Sequence, residues 1–265
     1  MRGLLAACLI LMSGAAVAEP LTLAGDFTQG GLVVGSAGPG SRISLDGRSV
    51  PMTPDGKFLI GFGRDAAKQS TLTVTDVQGG VETRLLNVEP RTYKVQRIDG
   101  LPSRKVTPKP EDLARIKFDN AGIGKARASI LVKAHFSSGF VWPVKGPISG
   151  VYGSQRILNG KPKNPHNGTD IAAVEGTPIV APADGVVALV VEDMFYTGMT
   201  VMLDHGLGLT SVYAHMSEIQ VDEGAVVKKG EAIGRVGKTG RVTGAHLHWG
   251  VTLGRTHLDP ELLLD

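Results

Sequence analysis

The sequence predicts a mainly β protein: a small N-terminal β-sandwich module, a linking helix, and a C-terminal all-β domain. Three observations carry that expectation. Short apolar runs alternate with turn signals along almost all of the 265 residues, 36 glycines and 15 prolines punctuate those runs, and helical periodicity is confined to one stretch, Glu111 to Phe136. A chain of this length can bury a sizeable core, in one large domain or two smaller ones.

Residues 1–18 read as a secretory signal. Arg2 gives a positive start, Leu4 to Met12 an apolar core, and Ala16-Val17-Ala18 a small-residue cleavage site before Glu19. The apolar run is too short to span a bilayer, and no later stretch is long enough. An exported protein is therefore expected, in the periplasm or cell envelope, with no membrane span after signal cleavage. The single cysteine, Cys8, lies inside the signal. Leu5-Ala6-Ala7-Cys8 is similar to a lipoprotein cleavage box, but the apolar segment continues beyond it, so lipidation is not expected. The mature chain then has no disulfide. Formal charge is 28 minus 25, or +3, and 27 minus 25, or +2, without Arg2. So small a bias gives no reason to expect nucleic acid as a partner.

Residues 19–100 are expected to form the accessory module. Ser41-Arg42-Ile43-Ser44-Leu45 alternates and meets Asp46-Gly47. Thr53-Pro54-Asp55-Gly56 leads into Lys57 to Phe62, and Thr71 to Thr75 is followed, past Gly79-Gly80, by Val81 to Leu85. Strands so spaced, with such turns, predict an antiparallel β-sandwich. No titratable constellation accompanies them, so the module reads as a docking or spacer unit. Residues 101–139 begin with Pro102, Pro108 and Pro110 and then turn helical, with Leu113, Ile116, Ile123, Ile130 and Ala134 near one face. Gly122 and Gly124 allow a break. Residues 140–265 need almost no helix. Thr177 to Pro182 and Gly185 to Val191 read as strands about an Ala183-Asp184-Gly185 turn, and Thr200–Asp204 with Leu209–Tyr213 as a hairpin.

The chemistry lies in this last part. His246 and His248 alternate along an extended segment and project from one face. His166 and Asp170 form an H-x-x-x-D set in a loop that Pro165 and Gly168 keep from being helical, and His215 follows in Tyr213-Ala214-His215-Met216. Nitrogen and carboxylate ligands from three segments, without cysteine, suit a catalytic Zn²⁺ that keeps one position open. With no H-E-x-x-H there is no thermolysin-like glutamate, so a histidine must act as the base. The strand alone does not say which of His246 and His248 is the ligand. Gly237-Lys238-Thr239 fails as a phosphate loop because Ala232 stands where glycine is required and no helix follows. No G-x-S-x-G is present to make Ser211 a nucleophile. His205 and His257 read as surface or structural.

Residues 142–262 resemble the lysostaphin/LytM-type members of peptidase family M23, the peptidoglycan metalloendopeptidases. The matching features run in the family's order: Ser149 to Gly153, His166 with Asp170, and Gly176 to Val187. They continue through Asp204-His205-Gly206, Tyr213 to Met216, Lys229 to Gly234, Thr239-Gly240, Thr243 to His248, and Asp259-Pro260. The resemblance implies an M23-like metallopeptidase domain with one zinc per chain, held by His166, Asp170 and His248. It implies that His215 and His246 stand beside the open position as the catalytic pair. It further implies a zinc endopeptidase that hydrolyses the peptide cross-links of peptidoglycan, with wall peptides as substrate and an envelope protein as a candidate partner for residues 19–100. The alternative is a wall-binding regulator, without its own activity, that activates another hydrolase.

Overall fold

Two antiparallel sheets build the N-terminal part of the computed structural model, which describes residues 20–264. The secretory signal and Cys8 lie outside the described residues. Among the described residues no helix is long and apolar enough to cross a membrane. One sheet orders Thr22–Gly25, Leu32–Ser36 and Lys57–Gly61. The other orders Arg48–Val50, Arg42–Leu45, Gln69–Thr75 and Val81–Asn87. Val33, Phe58 and Ile60 meet Ile43, Leu72 and Val74 in one buried cluster, so the expected sandwich forms. Alternation drives it: along Gln69–Thr75 the buried positions are Ser70, Leu72 and Val74. Asp46 and Gly47 take φ of 49° and 76°, the left-handed pair that a two-residue hairpin turn requires.

The chain then leaves the sandwich. Val95–Ile98 pairs in parallel with Gln155–Leu158, which returns through Asn159-Gly160 to pair with Lys161–Pro162. A segment read as the end of the accessory module thus joins a sheet beside the ligand loop. The helix spans Pro110–Ala128 without a break at Gly122 or Gly124. It ends well short of Phe136, and its docking face matches the expected one only in part, keeping Ile123 but not Leu113. Ile123 and Ala126 pack on Ala188, Leu189, Met202 and Val212, and Asp119 accepts the Phe195 N–H at 2.7 Å. Asp112, Asp119 and Ala126 are the buried positions of the helix, seven residues apart, with Ile123 half-buried on the same side, which leaves Leu113 exposed; Ile130 lies past the helix end and is exposed as well. Contact with the sheet face formed by three strands, rather than apolar count, sets the orientation.

From Phe140 onward the chain is β with one terminal 3₁₀ turn, Pro260–Leu263. The main sheet orders Val226–Val227, Gly185–Met194, Gly198–Asp204, Leu209–Ile219, His246–Leu253, Thr169–Ala172 and Ile148–Gly150. Pro178–Val180 and Ala232–Val236 pair with each other, and the latter also with Leu209–Ile219. Gly198–Asp204 and Leu209–Ile219 are the expected hairpin. One face carries the large core of Ile171, Leu203, Tyr213, Leu247, Trp249 and Val251. His205, in the turn of that hairpin, is fully buried and not at the surface. Its Nδ1 lies 2.7 Å from the Asp184 carbonyl, and its Nε2 lies 2.7 Å from Ser211 Oγ, which in turn meets Tyr213 Oη at 2.7 Å.

Burial pushes His205 down to about 4, from an ordinary value of 6.5. Because the unfolded chain takes up this proton first, the stability His205 contributes is complete above pH 6.5 and is lost as pH falls towards 4. Denaturant unfolding of the metal-free protein should show a falling midpoint over that window, and His205→Gln should flatten this part of the fall. A variant curve of unchanged slope would remove His205 as the cause.

Candidate metal centre

Leu247, Trp249 and Val251 of the His246–Leu253 strand are fully buried in the core, so His246 and His248 project from the opposite face. The Thr169–Ala172 strand lies antiparallel beside it, with Asp170 directly opposite His248 and Ala172 opposite His246. Ile171 takes the core side. A one-residue slip would bury the carboxylate in the apolar layer, which fixes the register. His166 enters from the loop before this strand, as the sequence predicts, and is buried. Its Nδ1 lies 3.1 Å from the Val151 carbonyl. A carbonyl only accepts, so the proton sits on Nδ1 and Nε2 presents a lone pair.

Three atoms now converge. His166 Nε2 is 3.0 Å from Asp170 Oδ1, His248 Nδ1 is 2.8 Å from the same oxygen, and the two nitrogens are 3.0 Å apart. A proton on His248 Nδ1 satisfies one edge of this triangle and leaves facing lone pairs on another. A cation satisfies all three. Donors on a tetrahedral Zn²⁺ with bonds of about 2.0–2.1 Å stand about 3.3 Å apart, so the triangle is close to the size required. The residues fit one zinc, and the fourth direction is left to the cavity. Burial pushes His166 down to about 4, keeping it neutral and able to ligate. Burial alone would raise Asp170, yet the carboxyl is held well below its usual range; in the tautomers above, His248 Nδ1 and Arg156 are the groups that can donate to it.

Asp170 Oδ2 is engaged separately, by Arg156 Nη2 at 2.5 Å, with Arg156 Nε 3.3 Å from Gln96 Oε1. One carboxylate oxygen is thereby assigned to the metal and the other to a guanidinium. Gly150 lies opposite Asp170 on the next strand. A Cβ there would stand 2.4 Å from Oδ2, so only glycine admits this carboxylate. The sequence reading missed Arg156 and quoted Gly150 only within the Ser149 to Gly153 match, without a role. The Asn159-Gly160 turn signal next to Arg156 was available, but nothing in the sequence brings Arg156 to Asp170.

The two remaining histidines stand beside the cluster. His246 Nε2 is 3.9 Å from Asp170 Oδ1, and the His215 and His246 rings are 4.9 Å apart. Strand alternation alone would place His215 on the core side, on the same face as Tyr213. The structure separates them. Tyr213 pairs with Trp249 in the core, and a bulge follows in which His215 adopts φ 66° and turns to the metal side. The Thr239 carbonyl, 2.8 Å from His215 Nδ1, holds that ring, and the Gly244 carbonyl, 2.9 Å from His246 Nδ1, holds the other. Thr239, discarded as part of a phosphate loop, is thus part of the site. Both rings present a bare Nε2. Burial, reinforced by His246 and His248, pushes His215 down to about 3.

The description "Peptidase family M23" matches residues 164–260. A crystal structure of an M23 peptidase from Pseudomonas aeruginosa is 30% identical, covers 89% of this chain and 94% of its own, and superposes with a TM-score of 0.69. The peptidoglycan DD-endopeptidase ShyA of Vibrio cholerae is 46% identical over 85 residues, 32% of this chain and 20% of its own. A Haemophilus influenzae protein described as a metalloprotease is 40% identical over 131 residues, 49% of this chain and 25% of its own. The chain thus spans a quarter or less of the length of these two curated relatives.

Gly150→Ala and Arg156→Ala are both expected to weaken zinc binding by roughly tenfold to a hundredfold, since each disturbs the oxygen that orients Asp170. Competitive titration with a chromophoric chelator measures this, with far-UV circular dichroism to check the fold. Affinity unchanged in both variants would show that Asp170 needs neither support.

Proposed function

This chain belongs to peptidase family M23, and from that premise we propose that it is an exported zinc-dependent endopeptidase that hydrolyses peptide cross-links of bacterial peptidoglycan during cell-wall remodelling. The observation that carries the reading is the triangle of His166, Asp170 and His248 with two further imidazoles presenting bare nitrogens beside it. The similarity to a protein named as a peptidoglycan DD-endopeptidase supports wall peptides as the substrate class. The sandwich serves as a docking or spacer module for an envelope partner.

Bound zinc would polarise the scissile carbonyl and lower the pKa of water to about 7. His215 and His246, each protonated at Nδ1, begin as acceptors at Nε2. They can orient the attacking water and take its proton, but they can donate to the oxyanion or the leaving nitrogen only after a proton has been captured. Protonating buried His215 is unfavourable, which gives His215 the orienting role. His246, open to the cavity, takes the proton. The regulator alternative requires neither imidazole, and the presence of both beside the triangle supports the enzyme.

Purified protein incubated with intact sacculi should release peptide-cleaved muropeptides, identified by mass analysis. Release only in the presence of another hydrolase would favour the regulator.

His166→Ala, Asp170→Ala and His248→Ala should each lose zinc, because three ligands leave no redundancy. His215→Ala and His246→Ala should keep it and lose on the order of a hundredfold in turnover. Elemental analysis and turnover of the five variants check this. If His246→Ala strips the metal while His248→Ala retains it, the assignment within the pair is reversed.

A further inference from the structure

A cavity of about 190 Å³ opens beside the metal cluster, lined by Asp170, His215 and His246 and also by Gln96, Arg156 and Arg241. The two arginines differ in their commitments. Arg156 is bound to Asp170 and Gln96. Arg241 is half-buried, its guanidinium lies over the Tyr196 ring with Cζ 4.6 Å from the centroid, and its backbone N–H donates to the Tyr196 carbonyl at 2.8 Å. Among the described residues its side chain has no hydrogen-bond acceptor and no carboxylate partner.

Charge makes this unusual. Arg156 neutralises Asp170, and the neutral imidazoles add nothing, so a bound divalent cation and Arg241 leave the cavity positive. Burial and the neighbouring Arg156 both act against the Arg241 charge. A guanidinium does not shed its proton at such sites, so the charge persists and awaits a counter-ion. The Tyr196 ring holds the guanidinium in place, and the planar fork of a guanidinium favours a planar, two-oxygen anion. The cavity is also walled by Ile98 and Leu158, which suits an aliphatic residue that ends in a charged group.

We propose that Arg241 is a substrate-binding residue that takes a free carboxylate on the peptide residue adjoining the scissile bond, so that the enzyme selects acidic stem peptides over amidated ones. The proposal rests on the endopeptidase reading and deepens it.

Binding to the metal-free full chain tests the subsite without turnover. Calorimetry would compare a cross-linked stem peptide with the same peptide amidated at its free carboxylates. Amidation should weaken binding to the wild type by roughly tenfold, the worth of one charged hydrogen-bonded pair. Arg241→Gln should abolish the difference, Arg241→Lys should restore part of it, and zinc affinity should stay unchanged in both. Equal binding of the two peptides to the wild type overturns the proposal, as does full discrimination by Arg241→Gln. A zinc-loaded digestion separates the two readings. Discrimination in binding with neither peptide cleaved retires the endopeptidase and keeps the subsite, whereas cleavage of both with equal kcat/KM keeps the endopeptidase and retires the subsite.

Discussion

Three lone-pair-bearing atoms within 3.0 Å of one another repel, and the fold holds them there. The constraint that makes this feasible is the pairing of Asp170 with His248 across two antiparallel strands. On the other side of the same strands, Ile171, Leu247 and Trp249 are fully buried. Because the side-chain period is two, burial of that apolar set and projection of Asp170 and His248 from the opposite face are a single event. Core packing therefore supplies the free energy that keeps like dipoles face to face until a cation relieves them.

Support for the carboxylate comes from further away in the chain. Arg156 reaches Asp170 from the Gln155–Leu158 strand, which is held in place by Val95–Ile98, and Gln96 of that segment meets the Arg156 guanidinium. The link between the sandwich and the C-terminal sheet is thus part of the wall of the site. A helix that packs on Gly185–Met194 covers the sheet at a different place, away from the cluster.

The left-handed backbone at His215 illustrates local geometry subordinated to chemistry. A histidine at φ 66° is unfavourable on its own, and it persists because the surrounding strands and the Thr239 carbonyl over-determine it. What it achieves is a fourth imidazole on a face that strand alternation would have denied it. The carbonyls of Thr239 and Gly244 also select the tautomers, leaving both Nε2 atoms bare towards the cavity.

The fold class and most strands could be read from the sequence, because alternation, Asp-Gly turns and glycine placement act over a few residues and need no distant partner. The ligand set was legible too, since H-x-x-x-D and H-x-H carry their own spacing, although the choice of His248 over His246 came from family resemblance alone. Tertiary structure decided the rest. The bulge that separates His215 from Tyr213, the face on which the helix docks, the Arg156 grip on Asp170 and the unpaired Arg241 all depend on residues 14 to more than 60 positions apart meeting in space. No periodicity encodes such meetings. They are fixed only when the apolar faces of separate strands are buried together and the polar groups left between them must find partners.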